Sequence, residues 1–364
     1  MKILLKLKIL QMKSKNYSKN IINFFKKDGF ILSEPDVLLD SDYIIQRSGE
    51  NFRKLMLTFE DDNGKSMCLR PDLTVASCIK YIKDNSKANS KIFYSGQAYR
   101  RSNSPKDKVI NDQLGIEILG SKNKTNDDLK ILKTITSSIK KIKIKNTSIK
   151  VGDVSLFQNL IESLKIPERW KMRLKRHFWR PQYFEDLLNR LETNSDVNPT
   201  TVDLDKKKFS EMKNLDQSKE IANRKVSEIL SRFDRKIKDP RLFLENKKIV
   251  KIIREFLKIN CSIDKLDKTL KNFAKKNKLN NSVFKDLSTI KNLSKINSKT
   301  IFSTNFGREI EYYTGIVFEI YNSSKKEIAR GGRYDDLLKS LGSKKNISAV
   351  GAAINLNSLQ TWKI

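Results

Sequence analysis

The segment LRPDLT places charged and hydroxyl side chains in a turn that precedes a helical pattern. The carboxylate of Asp72 can accept the ammonium group of a ligand, and the hydroxyl of Thr74 can cap the helix that follows. The same spacing is typical of an ordinary helix N-cap beside a surface arginine, here Arg70. The segment therefore predicts either the ammonium end of a ligand site or a structural cap.

Two strand-like segments further along the chain add groups that a polar ligand needs. YSGQAYRRS ends in Arg100 and Arg101, whose guanidinium donors suit phosphate or carboxylate. QLGIEILG carries Gln113, Gly115 and Glu117 at alternate positions, so an amide, a bare Cα and a carboxylate share one face of a strand. The structural alternative for YSGQAYRRS is a surface charge at the end of a strand. For QLGIEILG it is a solvated outer face of the sheet.

Aromatic and basic residues also cluster near the end of the chain. FGREIEYYTGIVFEIY places Arg308, Tyr312 and Tyr313 before a strand, and ARGGRYDDLL has Arg333 and Tyr334 after two glycines. Tyrosine hydroxyls can hydrogen-bond a polar ligand while the rings exclude water. Ordinary aromatic core and a hairpin turn would give the same patterns. Together the five segments predict one pocket for a small zwitterion with a polar ring, with or without a phosphate.

The composition narrows the chemistry that the chain can support. Its single histidine, His177, leaves no basis for a histidine-based metal site or a Ser-His-Asp triad. The three cysteines, Cys68, Cys78 and Cys261, form no CxxC pair, which predicts reduced thiols in a cytoplasm. We therefore expect no disulfide framework, no metal and no cofactor.

The net charge of +32 raises the question of a polyanionic partner. Lysine far outnumbers arginine and is spread along the chain, which favours a solvated surface in a composition-biased sequence. No apolar run approaches the roughly 20 residues of a membrane helix. The start MKILLKLKILQMKSK resembles a signal peptide, but Lys6 and Lys8 interrupt it, so we expect no export. Translation could begin at Met1 or Met12.

Apolar spacing predicts an α+β protein whose antiparallel sheet is flanked by helices. A helix is expected at 15–28, a hairpin around DDNG, and strands at KIFYSGQAYRR, QLGIEILG and SIKVGDV. Residues 166–294 have a helical period throughout and are interpreted as a helical insertion. The core then comprises 1–165 and 295–364, where the strands GIVFEIY and ISAVGAAI return.

The order of these segments resembles that of histidyl-tRNA synthetase, a class II aminoacyl-tRNA synthetase. LRPDLT is similar to its amino-acid loop, YSGQAYRRS with QLGIEILG to its motif 2, and AVGAAINL to its motif 3. EYYTG and GGRYD resemble its two histidine-specific motifs, and DGFILSEPDV resembles the motif 1 that shapes a dimer interface. The resemblance implies a remnant phosphate site at Arg100 and a histidine site at Asp72, Thr74, Gln113, Glu117, Arg308, Tyr312, Tyr313 and Tyr334.

Several positions depart from that pattern on the nucleotide side. Ser102 stands where motif 2 has a glutamate, Asp107 stands near an expected arginine, and 355–358 read NLNS where motif 3 ends in Gly-Leu-Glu-Arg. Losing one preorganised cation costs about 10²–10³ in rate. We also expect no anticodon-binding domain, because the sequence stops after motif 3. The site is therefore expected to hold histidine without activating it.

This profile resembles the family of ATP phosphoribosyltransferase regulatory subunits. The resemblance implies a non-catalytic protein needed for the first step of histidine biosynthesis and for its feedback by histidine. It also implies self-association as a dimer and a short-form catalytic subunit as partner, with tRNA binding not expected. A truncated histidyl-tRNA synthetase, a paralogue activating another substrate, and a polyanion-binding module stay open as alternatives.

Overall fold

The structure is a computed structural model that describes residues 16–48, 50–84, 89–101, 108–193, 199–221, 224–238, 245–284, 287–293, 295–297, 299–307 and 311–359. The chain divides into two compact units. The first contains Met1–Ser155, Asn260–Thr269 and Asp286–Ile364, and the second contains Leu156–Ile259 and Leu270–Lys285. The predicted domain limits at 166 and 294 stay a prediction.

The elements of the chain up to its helical middle alternate between short strands and helices. They are α1 (16–27), β1 (Ile31–Leu32), β2 (Leu38–Asp40), α2 (Ser41–Ser48), α3 (Glu50–Leu55), β3 (Leu57–Glu60), β4 (Ser66–Leu69), α4 (Leu73–Lys83), β5 (Ser90–Tyr99), β6 (Ile110–Leu119), α5 (Lys124–Lys141) and β7 (Ser148–Asp153). The helix predicted at 15–28 and the three predicted strands are therefore confirmed.

Helices dominate the middle of the chain, and strands return near its end. The elements are α6 (Val154–Ser163), α7 (Glu168–His177), α8 (Pro181–Thr193), α9 (Pro199–Lys213), β8 (Glu220–Ile221), β9 (Arg224–Lys225), α10 (Val226–Lys238), α11 (Asn246–Leu257), β10 (Asn260–Ser262), α12 (Leu266–Lys276), α13 (Ser288–Leu293), β11 (Thr300–Ser303), β12 (Ile316–Tyr321), β13 (Glu327–Arg333), α14 (Leu337–Ser340), β14 (Ala349–Asn355) and α15 (Leu356–Leu359).

A nine-stranded sheet forms the first unit, in the order β1-β5-β6-β14-β13-β12-β7-β11-β10. The α+β class is confirmed, and the six strands from β5 to β7 are antiparallel neighbours, as expected. The pairs β1–β5 and β7–β11 are parallel, so the expectation of a purely antiparallel sheet is wrong there. Both pairs are joined by long stretches of chain, which is what a parallel crossover requires.

The predicted hairpin at DDNG is confirmed in a separate sheet of β2, β4 and β3. Asp61 fixes its turn, because its Oδ1 accepts hydrogen bonds from the backbone N–H groups of Asn63 at 3.0 Å and Lys65 at 2.8 Å. Gly64 has a φ of +72°, a conformation that costs glycine least. This sheet leads directly into the LRPDLT segment.

The second unit has an aromatic core of its own. Phe157 stacks on Phe178 with ring centroids 3.8 Å apart, and Phe184 meets both rings edge-on at 5.6 Å. Trp170 and Leu174 of α7 are buried and form the apolar face of that helix. Among the helices that the structure describes, none combines the length and apolar character of a membrane span.

Candidate functional site

A cavity of about 650 Å³ opens on the central strands of the nine-stranded sheet. Most of the predicted site residues line it: Asp72, Thr74, Arg100, Gln113, Tyr312, Tyr313 and Tyr334. Glu117 is fully buried and contacts the cavity wall from behind. Arg308 lies outside the described residues, as do Ser102 and Asp107. Segments far apart in the chain thus meet at one site, and the binding roles of their residues stay predictions.

Asp72 is both a helix cap and a wall of the cavity. Its Oδ1 accepts from the backbone N–H groups of Thr74 at 2.7 Å and Val75 at 3.2 Å, at the start of α4. Its Oδ2 accepts from Nη2 of Arg100 at 3.2 Å. The expectation that Thr74 caps this helix is wrong, because the hydroxyl of Thr74 donates to Glu117 instead. Asp72 therefore caps α4, as the structural alternative for LRPDLT predicted, and it also lines the cavity.

Arg70 is not the surface residue that the cap alternative assumed. Only 7% of it is exposed, and its guanidinium donates to the carbonyl oxygens of Gln97 at 2.8 Å and Pro35 at 2.6 Å. Arg100 behaves similarly, since its Nε donates to the carbonyl of Pro71 at 2.7 Å. These two arginines fix the loop that presents Asp72 to the cavity.

Glu117 lies behind the cavity wall in a cage of hydroxyl groups. Its Oε1 accepts from Thr74 Oγ1 at 2.9 Å and from Tyr94 Oη at 3.1 Å. Its Oε2 accepts a short hydrogen bond from Tyr334 Oη. The solvated-face alternative for QLGIEILG is wrong at this position, because Glu117 has no exposed surface. Thr74 and Tyr334 both line the cavity, so Glu117 orients two hydroxyls that a ligand would meet.

Burial makes the ionised form of Glu117 costly. Desolvation raises the pKa of this carboxyl to about 8, although the hydroxyls of Tyr334, Thr74 and Tyr94 act in the opposite direction. The nearby negative charge of Asp72 raises the pKa further. Glu117 therefore titrates close to neutrality, where a positively charged ligand ring would favour its ionised form.

Neighbouring small residues make room for this buried carboxylate. A Cβ added at Gly351 of β14 would lie 1.3 Å from Oε2 of Glu117, which no side chain can tolerate. A Cβ at Gly115 would lie 2.2 Å from the ring of Tyr94, its partner across β5 and β6. Sequence reasoning missed Tyr94. The pairing of a bulky tyrosine with a glycine across the hairpin was the signal that could have found it.

Three tyrosines form the aromatic wall of the cavity. The ring of Tyr312 meets Tyr313 at 5.1 Å and Tyr334 at 5.7 Å between centroids, both in edge-to-face geometry. Desolvation raises the pKa of all three hydroxyls, so they stay protonated and can donate hydrogen bonds. The aromatic-core alternative is thus only half right, since these rings are packed and also face the cavity.

Gly331, Gly332 and Arg333 lie inside β13 and Tyr334 follows it directly, so the hairpin-turn alternative is wrong. Arg333 is buried and forms ion pairs with Asp128 at 2.7 Å and Asp335 at 2.9 Å. It also donates to the carbonyl of Lys124 at 2.9 Å. Arg333 therefore holds the strand in place, and Tyr334 is the member of this motif that lines the cavity.

The part of the cavity lining where β14 runs into α15 is uncharged. Asn355 and Ser358 line it, and Oδ1 of Asn355 accepts from the backbone N–H of Ser358 at 3.3 Å. Asn357 donates to the carbonyl of Ile110 at 3.3 Å. The amides at this junction therefore make local structural bonds. The cations that line the cavity are contributed by other segments, including Lys54, Lys326 and Arg330.

Solved structures identify the class of fold to which this sheet and cavity belong. An ATP phosphoribosyltransferase regulatory subunit/histidyl-tRNA synthetase from Bacillus halodurans aligns with a TM-score of 0.64 at 16% identity, covering 96% of this chain and 79% of that one. A histidine–tRNA ligase subunit from Alicyclobacillus acidocaldarius aligns with a TM-score of 0.54 at 18% identity, covering 96% and 92%. The first unit is thus a class II aminoacyl-tRNA synthetase-like core.

The sequence comparisons then define the family. The histidyl-tRNA synthetase family model matches residues 11–359, and the chain belongs to this family. Two curated relatives are named ATP phosphoribosyltransferase regulatory subunit. The relative from Brucella anthropi is 28% identical over 349 residues, and the relative from Brucella ovis is 29% identical over 357 residues. Each alignment covers 90% of this chain and 92% of the relative. The suspected resemblance to this group is confirmed.

Proposed function

We propose that this chain is a non-catalytic regulatory subunit of ATP phosphoribosyltransferase that binds histidine in the cavity of its synthetase-like core. The observation that carries the proposal is the make-up of the cavity lining. Asp72, Gln113 and three tyrosines line the cavity with the groups that an amino acid needs, while the junction of β14 and α15 contributes only the uncharged Asn355 and Ser358. Relatives that carry the regulatory-subunit name match nearly their whole length, which supports the same reading.

Histidine suits several of the polar groups that line the cavity. The carboxylate of Asp72 and the amide of Gln113 are the partners that an ammonium group needs. The hydroxyls of Thr74 and Tyr334, held by Glu117, offer hydrogen bonds to an imidazole ring. By resemblance, Arg308 would approach the carboxylate of the ligand.

Adenylation requires cations that stabilise the charge developing on the phosphates of ATP. The NLNS stretch presents no such cation, and Arg100 is already bonded to Asp72 and to a backbone carbonyl. The proposal therefore includes the loss of amino-acid activation. Here Arg100 is a remnant of the phosphate site with a structural role.

ATP–pyrophosphate exchange with histidine separates this proposal from the alternative of a truncated synthetase. We expect isothermal titration calorimetry to detect histidine binding and the exchange assay to stay at the level without enzyme. Robust histidine-dependent exchange would establish the synthetase alternative instead. Absence of histidine binding would remove the histidine site from the proposal.

The catalytic partner would be the short-form ATP phosphoribosyltransferase chain, which joins ATP to phosphoribosyl pyrophosphate in the cytoplasm. Feedback by histidine would then be a coupling between the cavity and the partner's active site, typically about 1–3 kcal/mol. A dimer of this chain would form through the segment that resembles motif 1. Residues 166–294 would be a helical insertion in that assembly.

A further inference from the structure

Arg330 extends the cavity wall on the side opposite Thr74 and Glu117. It lies in β13 directly across from Ala353 of β14, and Ala353 lies across from Gly115 of β6. Neighbouring strands are about 4.8 Å apart, so the backbone of Arg330 is about 10 Å from that of Gly115. Along this line of cross-strand partners, the methyl group of Ala353 is the only side chain between Arg330 and Gly115. A small ligand lying over Ala353 would therefore have Arg330 on one flank.

Two carboxylates hold the guanidinium of Arg330 from one edge. Its Nε donates to Oε1 of Glu327 at 2.8 Å, its Nη2 makes a shorter bond to Oε2 of Glu327, and Nη2 lies 3.3 Å from Oε1 of Glu319. Burial disfavours the charged form, but these carboxylates outweigh it and raise the pKa of Arg330. Among the residues that the structure describes, none hydrogen-bonds to Nη1, and the side chain is 38% exposed. A charged, oriented donor is therefore available at the cavity wall.

The use of arginine at this position is informative because most positive charges of the chain are lysines. It has 56 lysines and 18 arginines. Arg70, Arg254 and Arg333 each direct several guanidinium nitrogens at named acceptors, a geometry that lysine cannot provide. Arg330 satisfies Glu327 with two parallel bonds in the same way, and it also faces a cavity.

Arg100 is held at the ammonium side of the expected site. Its Nε is bonded to the Pro71 carbonyl, and its Nη2 is bonded to Asp72, the group expected to take the ammonium of the ligand. Lys54 and Lys326 line the cavity as point charges without a planar fork. The geometry points to Arg330 as a further residue, beside the Arg308 expected from the resemblance, that recognises the α-carboxylate through its Nη1 edge. This inference rests on the proposed histidine site and adds to it a group that distinguishes the amino acid from its decarboxylated amine.

Calorimetric titration with histidine and with histamine, which lacks only the carboxylate, tests this assignment. We expect wild-type protein to prefer histidine, and Arg330→Gln to reduce the ratio of the two affinities by about 10-fold or more, the usual effect of one charge-assisted hydrogen bond. Affinity for histamine should be unchanged within about twofold. Arg330→Lys keeps the charge without the fork, and we expect it to restore only part of the preference.

Arg232→Gln is the matched control, because Arg232 is exposed on α10 in the second unit. We expect it to leave both affinities at wild-type values. Thermal melting of each variant, with the Arg330→Lys protein as the folded reference, verifies that the cavity is intact. Equal losses of histidine and histamine affinity in Arg330→Gln, or an unchanged ratio, would overturn the role of Arg330. A wild-type protein that binds neither compound would instead count against the proposed histidine site itself.

Discussion

At the scale of single residues, Glu117 shows how one buried carboxylate can organise a ligand site without facing it. Three hydroxyl donors converge on it from α4, β5 and the end of β13. Those donors favour the charged form, while complete burial opposes it, and burial prevails. The carboxyl can therefore respond to a nearby positive charge by ionising. This makes Glu117 the link between the electrostatics of a ligand and the orientation of Thr74 and Tyr334.

The raised pKa of Glu117 predicts how stability changes with pH. The folded state holds its proton up to about pH 8, whereas the unfolded state releases it near the ordinary value of 4.5. The unfolded state thus binds fewer protons in this window, so the free energy of unfolding falls as pH rises from about 5 to 8. We expect Glu117→Gln to show a flatter decline in denaturant titrations across this range. Parallel curves for the two proteins would contradict the assignment.

Asp72 allows its capping and binding roles to be separated by two substitutions. Asp72→Asn keeps a side-chain oxygen for the cap of α4, while Asp72→Ala removes it and should cost about 1 kcal/mol of stability. Both remove the charge that faces the cavity. We expect both variants to lose most of their histidine affinity in calorimetry, and only Asp72→Ala to lose cap stability in urea unfolding. Retained affinity in Asp72→Asn would show that the charge is not used.

At the scale of elements, the packing of β14 against β6 determines the shape of the site. Glycine at 351 lets the two strands pair while the Glu117 side chain passes over the backbone. Small residues at 352 and 353 leave the cavity open between Gly115 and Arg330. The small residues in the strand predicted from ISAVGAAI are thus explained by the Glu117 side chain and the cavity that lie over β14.

A double-mutant cycle tests this packing. We expect Gly351→Ala to destabilise the protein by about 1–3 kcal/mol, because its methyl group would overlap Glu117. In a Glu117→Ala background the overlap with the carboxylate is removed and only the approach to the backbone oxygen of Ile116 at 2.8 Å is left, so the same substitution should cost less. Urea unfolding of the four proteins measures the coupling. Equal costs in both backgrounds would mean that Glu117 does not occupy this position.

The sequence was sufficient for elements whose signals are local. The DDNG hairpin, the helix predicted at 15–28 and the strands β5, β6 and β14 follow from turn chemistry and periodicity. What it could not provide depended on partners distant in the chain. The burial of Glu117 depends on Tyr334, more than two hundred residues away, and the strand conformation of Gly331, Gly332 and Arg333 depends on pairing with β12 and β14.

At the scale of the whole molecule, exposed apolar side chains mark a surface of the first unit. Ile31 is 72% exposed, Leu32 49% and Val37 41%, all within the segment that resembles motif 1, and Leu38, which follows it directly, is 50% exposed. β1 is also the edge strand of the nine-stranded sheet, with one side unpaired among the described strands. A soluble protein seldom leaves such a patch uncovered. This supports the proposed dimer.

A charge on this patch should separate the subunits. We expect wild-type protein to run as a dimer in light scattering, and Ile31→Lys to shift it toward the monomer at micromolar concentration, because a lysine there would have to be desolvated on association. Met172→Lys is the control, since Met172 is an exposed apolar residue of α7 in the second unit. A dimer that persists in Ile31→Lys would move the interface elsewhere.

The central claim is that this chain regulates a partner enzyme through histidine. The most direct measurement is the rate of phosphoribosyl transfer to ATP by the short-form catalytic chain, with and without this protein, across a histidine titration. The account predicts that adding this chain raises the rate and that histidine then lowers it, with both effects saturating. A rate that is indifferent to this chain, or a stimulated rate that histidine leaves unchanged, would contradict it.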